Sequence, residues 1–438
     1  MDYLWRGILS IIFVGFIHVY CVAENDLSSL ELVHIVFRHG DRTPVEAYPN
    51  DPYKNSSLWP VGWGQLTNEG KRQHYALGQF FRRRYGKFLS PLYSKDEVHV
   101  RSTDVDRTLM SAESNLAGLY PPQGNQIWEE GITWQPIPIH TLPESLDQIL
   151  AGKKPCPRYE YEFKKSKELP EIKMLNEESK ELYKYLTEKT GKLVHDIESV
   201  EFLYNTLTIE ERFNFTLPEW TKGVYPDKME YLAAFSFTLP TYTKELQRLK
   251  MGPLISEMMD HFIKKKDGTL SPSQRKLFMY SAHDTTIANL LMTFGLFNPP
   301  FSPPYTSTIL LELHRSSSDN YYVSLLYKNG TKAEEVIELT IPGCVQHCPL
   351  DHFVEIMSPL VPVDWKRECS MRYDDDDSAI NAFGIAAPIP LHDVAIITVI
   401  TSAATALLLA VSLIIFLVYW CKRRDSPHWY YKLSTEGP

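Results

Sequence analysis

Two apolar runs along the chain are each cut off by charged residues. Residues 31–37, ELVHIVF, stop at Arg38-His39-Gly40, and residues 277–282, LFMYSA, stop at His283-Asp284. Continuous apolar runs of this length are typical of strands that are buried on both faces of a parallel sheet. The pattern therefore predicts two buried strands with polar residues at their carboxyl ends.

Each predicted strand leads into a predicted helix. Residues 68–84 carry apolar side chains at helical spacing, and residues 284–293 begin with an acid, which suits the first turn of a helix. In open α/β sheets ligands bind outside the carboxyl ends of the strands, so two polar segments that lie 244 residues apart in sequence can meet there. We expect an α/β fold with a doubly wound, mainly parallel sheet.

The segment between these two strand–helix units has a different pattern. Residues 124–250 are rich in proline and charge, with helical stretches around residues 177–190 and 228–248 and little strand signal. We expect this segment to be an inserted, mostly helical cap. Beyond the second unit, residues 306–314 and 321–328 are predicted to be two strands that a polar loop joins into a hairpin.

Hydrophobicity at the two ends of the chain predicts a membrane protein. Residues 1–23 place Arg6 before an apolar run and end in small residues, as a cleaved signal peptide does. An uncleaved anchor is the alternative, but the run is short for a membrane span. Residues 394–420 carry no charge, and these 27 residues exceed the roughly 20 that a transmembrane helix needs.

The charges that flank the second apolar segment predict its orientation. Three basic residues follow it at 422–424, and Asp393 precedes it. Because positive charge stays on the cytosolic side of a membrane, we expect a type I protein. Its lumenal or extracellular domain would span residues 24–375, a flexible acidic stalk residues 376–393 and a cytosolic tail residues 421–438.

Composition narrows the classes of function. The chain has 438 residues, of which 44% are hydrophobic, enough for a core of ordinary globular size. Its formal net charge is −9, from 45 Lys and Arg against 54 Asp and Glu, which argues against a nucleic-acid partner held by a basic surface. An anionic substrate must then meet a local basic site.

The cysteines and glycosylation motifs agree with a lumenal or extracellular location for this part of the chain. Four cysteines lie between the two terminal segments, and in an oxidising compartment they allow two disulfide bridges. Zinc binding is the alternative, but no second close pair of ligands accompanies Cys344 and Cys348. The chain also has three N-glycosylation acceptors, which are Asn55, Asn214 and Asn329.

Three polar segments together contain the parts of a phosphoryl-transfer site. They are RHGDRTP at residues 38–44, RSTDVDRT at residues 101–108 and the pair His283-Asp284. A surface basic turn would explain an isolated RHG triplet. The presence of all three segments favours a site, because arginine guanidinium groups match phosphate oxygens in bidentate geometry.

Each reacting group that phosphoryl transfer needs has a candidate. Arg38, Arg42 and Arg101 can neutralise the transferring group without a metal ion. A neutral nitrogen of His39 can attack phosphorus in line. A carboxyl group at Asp284 can protonate the leaving alcohol and later activate water against the phosphohistidine.

These motifs resemble the signatures of the histidine acid phosphatase family, in particular the lysosomal and prostatic acid phosphatases of animals. The segments WQPIPIHT at residues 134–141 and FNFTLPEW at residues 213–220 extend the likeness through nearly the whole lumenal part. By this resemblance His39 is the nucleophile and Asp284 the proton donor of a phosphoric monoester hydrolase. The phosphate ligands that it implies are Arg38, Arg42, Arg101 and His283.

The resemblance also implies a disulfide framework. It pairs Cys156 with Cys369 and Cys344 with Cys348. Both cysteines of a third bridge that is common in the family are missing, so the stability of the cap must rest on other contacts.

The resemblance further implies phosphate monoester substrates and no cofactor or metal. The single membrane helix is similar to that of the lysosomal member, so the lysosome or the plasma membrane is expected. Tyr430–Leu433 fit a tyrosine-based signal for clathrin adaptors, and an interfacial aromatic cluster explains them equally well. A homodimer is common in the family, but the sequence does not decide the oligomeric state.

Two other functions fit part of the pattern. A catalytically inactive relative could serve as a binding or cell-surface protein, but all six expected site residues are present. A phosphoglycerate-mutase-like transferase shares the RHG loop, but its cytosolic setting conflicts with a signal peptide.

Asp104 and Arg107 could contact substrate or form a structural ion pair. An acidic pH optimum is expected, because Asp284 must start protonated and His39 neutral.

Overall fold

Seven strands form one sheet in the computed structural model, which describes residues 27–370. They are β1 (Leu30–Arg38), β2 (Val98–Ser102), β3 (Leu277–Ala282), β4 (Thr308–Arg315), β5 (Tyr321–Lys328), β6 (Ile337–Leu339) and β7 (Cys348–Pro349). Their order across the sheet is β2-β3-β1-β4-β5-β6, and β7 pairs with β5.

Twelve α-helices accompany the sheet within residues 27–370. They are α1 (Asn68–Tyr85), α2 (Asp106–Leu119), α3 (Pro157–Ser166), α4 (Pro170–Glu178), α5 (Lys180–Thr190), α6 (Ile197–Arg212), α7 (Asp227–Ser236), α8 (Lys244–Lys250), α9 (Gly252–Lys266), α10 (Asp284–Thr293), α11 (Leu350–Met357) and α12 (Trp365–Glu368). The two strand–helix units predicted from the sequence are β1 with α1 and β3 with α10.

The expectation of a mainly parallel sheet is wrong. β3 is parallel to both β1 and β2, whereas β4, β5, β6 and β7 all pair in antiparallel fashion. Thr308 of β4 pairs with Phe37 of β1, so β4 starts at the edge of the sheet where β1 ends. Residues 294–307 carry the chain back to this edge after α10, and β4 and β5 then form the predicted hairpin.

Helices cover both faces of the sheet. Successive side chains of a strand point to opposite faces. Val33, Ile35 and Phe37 of β1 belong to a core with α1 and α2, and Leu32 and Val36 belong to a second core with α9, α10 and α11. All five side chains are at most 1% exposed, so the central strand is buried on both faces.

The segment between residues 124 and 250 contains α3 to α8 and no strand in the described part of the chain. Helices α4 to α7 share a third apolar core, to which Ile172, Leu203 and Met229 contribute. Tyr48, which follows β1, is also buried in this core. The helical segment is therefore packed onto the loop that leaves the central strand.

Two disulfides join the four cysteines of the described residues. Cys156, just before α3, is bonded to Cys369, just after α12, across 213 residues of sequence. Cys344 is bonded to Cys348 in a short loop before α11. The side chains of Asn55, Asn214 and Asn329 are exposed.

The predicted terminal segments lie outside the described residues. They are the signal peptide (1–23), the stalk (376–393), the transmembrane helix (394–420) and the tail with Tyr430–Leu433. Among the helices between residues 27 and 370, none combines the length and the apolar character that crossing a bilayer requires.

Candidate active site

The loops that follow β1 and β2 are hydrogen-bonded to the carboxyl end of β3. The N–H of His39, after β1, donates to the carbonyl of Ala282 in β3 at 2.9 Å. The N–H of Thr103, after β2, donates to the carbonyl of Ser281 in β3 at 3.1 Å. The carboxyl edge of the sheet thus brings together segments that lie far apart in sequence.

His39 is held as a neutral imidazole with one free nitrogen. Its ring is 1% exposed, and its Nδ1 lies 2.8 Å from the carbonyl oxygen of Gly40. A carbonyl only accepts, so Nδ1 carries the proton and Nε2 has a lone pair. Burial, followed by the charges of Arg38 and Arg107, holds the pKa of His39 well below its usual value. The ring therefore stays neutral in acidic solution.

Arg38 has three different partners. Its Nη2 lies 2.7 Å from Oδ2 of Asp284, and its Nη1 donates to the carbonyl of Pro303. Its guanidinium carbon lies 4.1 Å from the ring centre of Tyr305, which permits a cation–π contact. The side chains of Arg38 and Asp284 are 7% and 15% exposed, so their ion pair is largely shielded from water.

The electrostatics of Asp284 differ from the expectation. Burial raises the pKa of Asp284, but the charges of Arg38 and Arg42 lower it by more, so the net pKa lies below the usual value. Asp284 is therefore ionised in the free protein. The sequence-based argument required a protonated carboxyl at the start of the reaction.

His283 is fixed from both of its nitrogens. Its Nε2 lies 3.0 Å from Oγ1 of Thr103, and Nη2 of Arg107 lies 3.5 Å from its Nδ1. Arginine only donates, so Nδ1 accepts and Nε2 donates to Thr103. Burial, and next Arg107, lower the pKa of His283 to about 3. Its ring centre lies 5.7 Å from that of His39.

Positive charge is concentrated around His39. Arg42 donates from Nη1 to the carbonyl of Thr43 and from Nη2 to Oδ1 of Asn205, each at 3.0 Å. Burial, and next the charge of Arg42, lower the pKa of Arg107 to about 10. A site that disfavours its own cations in this way gains stability when it binds an anion.

Arg101 does not belong to this group, which corrects the sequence-based assignment. As a strand residue of β2 it points to one face of the sheet, where its Nη2 lies 2.7 Å from Oδ1 of Asp147 and its Nη1 lies 3.6 Å from Oε2 of Glu257. Arg107, in the first turn of α2, instead lies beside His283, with its Nη2 3.5 Å from Nδ1 of that ring. His39, Asp284 and Arg107 all lie between the end of a parallel strand and the first turn of the next helix, so the same sequence argument that pointed to the first two residues also points to Arg107.

Gly40 allows a close approach within the protein. A Cβ at Gly40 would lie 2.5 Å from the carbonyl oxygen of Gly70, and a Cβ at Gly70 would lie 2.3 Å from that of Asp41. The two glycines thus let the loop after β1 lie directly on the first turn of α1.

A cavity of about 660 Å³ opens beside Arg38 and Asp284. One wall is the segment 300–305, and the other is formed by α6 and α7. One face of α6 lines it at positions 201, 204, 205, 208, 209 and 212, which is helical spacing. The sequence had not singled out the residues Glu201, Asn205, Arg212 and Tyr305 of these walls.

Arg212 connects the α6 wall to the loop after β1. Its Nε lies 2.6 Å from Oδ1 of Asp41, and its Nη2 donates to the carbonyl of Arg42 at 3.2 Å. Its guanidinium carbon lies 4.7 Å from the ring centre of Tyr305. The exposed polar pattern of α6 did not distinguish these contacts from ordinary solvent-facing residues.

The chain has clear relatives among known proteins. A model of the histidine phosphatase superfamily (branch 2) matches residues 29–328. Prostatic acid phosphatase of Bos taurus is 43% identical over 348 residues, which cover 78% of this chain and 88% of the bovine protein. Lysosomal acid phosphatase of Rattus norvegicus is 38% identical over 356 residues, which cover 80% of this chain and 83% of the rat protein.

Solved structures share the fold at low sequence identity. The phytase of Citrobacter braakii matches with a TM-score of 0.58 at 18% identity, over 78% of this chain and all of the phytase. A Hafnia alvei phytase in complex with myo-inositol hexakis sulphate matches with a TM-score of 0.58 at 19% identity, over 78% of this chain and 99% of that phytase. At this identity the likeness concerns the fold alone.

Proposed function

Because the chain belongs to the histidine phosphatase superfamily (branch 2), and is therefore a phosphatase, we propose that it hydrolyses phosphate monoesters in acidic solution through a phosphohistidine at His39. The observation that supports this most strongly is the tautomer of His39, whose Nδ1–H is bound to Gly40 while Nε2 is free. The relatives named as prostatic and lysosomal acid phosphatases agree with this activity.

The first step forms a covalent intermediate. Nε2 of His39 attacks phosphorus, so that an N–P bond forms as the ester P–O bond breaks. Arg38, Arg42 and Arg107 stabilise the charge on the nonbridging oxygens. Asp284 gives a proton to the leaving oxygen, which departs as the free alcohol.

The second step regenerates the enzyme. Asp284, now ionised, takes a proton from water as the water oxygen attacks phosphorus. The N–P bond breaks, and inorganic phosphate leaves with His39 neutral again. Asp284 can serve both steps because it is paired with Arg38 and lines the cavity.

Substrate binding should raise the pKa of Asp284, which is low in the free protein. In the free protein Arg38 stabilises the carboxylate. A phosphate group bound to Arg38 cancels part of that positive charge and adds a negative charge near the carboxyl group, and both changes raise its pKa. Asp284 thus becomes an acid when an ester is bound.

The positive charge that phosphoryl transfer requires comes from the protein itself. Three guanidinium groups near His39 supply it, so we propose a reaction that needs no metal ion and no cofactor. Chelators should leave turnover unchanged, and a loss of activity that added metal restores would contradict this part of the proposal.

The location of the protein is proposed from the sequence. We propose a cleaved signal peptide (1–23), a lumenal or extracellular domain (24–375, with the cap at about 124–250), a stalk, a transmembrane helix (394–420) and a cytosolic tail. The relatives named as lysosomal enzymes favour the lysosome, with the plasma membrane as the other destination. Glycans on the three exposed sequons, an adaptor signal at Tyr430–Leu433 and a homodimer belong to the same proposal.

The test is to trap the intermediate. Full-length protein turns over 4-nitrophenyl phosphate labelled with ³²P and is quenched in alkali, because phosphohistidine is stable to base and labile to acid. We expect protein-bound label in the wild type and in His195→Ala, an exposed histidine of the cap, and none in His39→Ala. Label that persists in His39→Ala would refute the nucleophile, and a folded wild type without hydrolysis at any pH would indicate an inactive relative.

A further inference from the structure

The cap wall of the cavity is acidic and aromatic. Three carboxyl groups line it, those of Glu201 on α6 and of Asp227 and Glu230 on α7. Two tyrosines, Tyr204 and Tyr231, lie among them. Burial, and next the charge of Glu230, raise the pKa of Tyr204, and both residues line the same cavity.

The cationic side chains that line the cavity already have carboxylate partners. Of the residues between 27 and 370 that line it, only Arg38 and Arg212 are cationic. Arg38 is paired with Asp284 at 2.7 Å and would hold the phosphate group, and Arg212 is paired with Asp41 at 2.6 Å. A second phosphate or carboxylate on the substrate would therefore find no unpaired cation among these lining residues.

The three carboxyl groups differ in their state. Asp227 and Glu230 are exposed, and in the part of the chain that the structure describes neither forms an ion pair. Glu201 lies deeper, where burial and next the charge of Asp284 raise its pKa to about 7. In acidic solution Glu201 is thus a neutral hydrogen-bonding group, and the negative charge of the wall comes from Asp227 and Glu230.

We infer that this cavity selects phosphate monoesters whose alcohol part carries an ammonium group and disfavours esters with a second anionic group. The inference rests on the proposed phosphatase function and names its substrate class. With the phosphate beside Arg38, the alcohol part faces α6 and α7. An ammonium group there meets two carboxylates and the side chains of two tyrosines, a combination that attracts such cations. A second anion meets the same carboxylates and is repelled.

The test compares esters of matched shape. Phosphocholine and its uncharged isostere 3,3-dimethylbutyl phosphate differ in charge, and 2-phosphoglycerate and glycerol 2-phosphate differ by one carboxylate. In the variant Asp227→Asn/Glu230→Gln we expect the kcat/KM ratio of phosphocholine to its isostere to fall about 3- to 10-fold relative to wild type. The ratio of 2-phosphoglycerate to glycerol 2-phosphate should rise. Leaving-group effects cancel because each ratio is compared between proteins.

The control makes the same charge change elsewhere on the cap. Glu178→Gln/Glu181→Gln alters two exposed carboxylates of α4 and α5 that do not line the cavity, and its ratios should equal those of wild type. Equal ratios in all three proteins would overturn the inference while the phosphatase activity stands. Calorimetric binding of the same esters to His39→Ala gives the ratios without turnover, so an inactive protein would refute the proposed function and still decide the inference.

Discussion

The ring of Tyr305 packs against the guanidinium group of Arg38, with 4.1 Å between the guanidinium carbon and the ring centre. Arg212 approaches the same ring at 4.7 Å. Two like charges are thereby held near one aromatic ring, whose negative faces offset their repulsion. We expect Tyr305 to position Arg38, the arginine proposed to bind the phosphate group.

Replacing Tyr305 should separate the effect of the ring from that of the hydroxyl. Cation–π contacts contribute about 0.5–2 kcal/mol, so Tyr305→Leu is expected to lower kcat/KM for 4-nitrophenyl phosphate about 2- to 30-fold. Tyr305→Phe keeps the aromatic face and should retain most of the activity. Equal losses in the two variants would assign the role to the hydroxyl instead.

Replacing Asp284 should affect esters according to their leaving groups. Asp284→Asn removes the proposed proton donor, and general acid catalysis contributes about 10²- to 10⁴-fold for an alcohol that leaves poorly. We expect such a loss for glycerol 2-phosphate and a smaller one for 4-nitrophenyl phosphate. The lost ion pair with Arg38 affects both esters alike, so the ratio of the two kcat/KM values is the readout. A uniform loss would show that Asp284 does not act as the acid.

Replacing Arg107 and Arg101 by Gln should affect different properties, the activity in the first variant and the stability in the second. Arg107→Gln removes a guanidinium group beside His283, and we expect kcat/KM to fall about 10²- to 10³-fold. Arg101→Gln instead leaves the fully buried Asp147 without its cation, although three backbone N–H groups still donate to it. It should cost about 1 to 3 kcal/mol in the free energy of unfolding.

Two measurements check this pair of variants. Urea unfolding gives the stability of each, and kcat/KM per folded molecule gives its activity. If Arg101→Gln were folded and inactive while Arg107→Gln kept its activity, the corrected assignment would be wrong.

How far the sequence predicts the site depends on the kind of signal. His39 and Asp284 follow strands with continuous apolar patterns, so their place at the carboxyl edge could be predicted. β2 is short and alternates buried and half-buried positions, so the hydrophobic pattern does not show that Arg101 belongs to a strand. Arg101 and Arg107 are chemically equivalent in sequence, and only the strand register distinguishes them.

The walls of the cavity could not be predicted, for a different reason. Glu201, Arg212 and Tyr305 acquire their roles from packing between segments that are distant in sequence. A glutamate on a charged helix is ordinarily solvated, and nothing in its neighbours shows that α6 faces Arg38. Likewise, the direction of β4 depends on the path of residues 294–307. The hydrophobic periodicity of the sequence does not encode that path.

A buried pair of carboxyl groups should make stability depend on pH. Glu210 of α6 is 0% exposed and Asp51 is 2% exposed. Burial, and next the charge of Asp51, raise the pKa of Glu210 to about 9. Because the folded state binds this proton more tightly than the unfolded chain, the stabilisation is present near pH 4.5 and declines as pH rises toward 9.

The isosteric variant Glu210→Gln should remove most of that decline. Its free energy of unfolding, from urea titrations at pH 5 and pH 8, is expected to change less between the two values than that of wild type. Glu181→Gln, an exposed carboxyl on α5, serves as the control and should follow wild type. A wild type whose stability changes between pH 5 and pH 8 in the same way as that of Glu210→Gln would argue against a raised pKa of Glu210.

Because β1 lies between β3 and β4, it can pair with its neighbours only late in the synthesis of the chain. Val33 pairs with Leu277, and Val36 pairs with Ile309, so the partners of the first strand are made more than 240 residues later. At about 5–20 residues per second, a ribosome needs about 12–50 s to cover the 244 residues between Val33 and Leu277. Throughout that time an apolar strand has neither of its neighbours. Folding of the catalytic loop is thus a late event, and a chain released before β3 has no partner for β1 among the described strands.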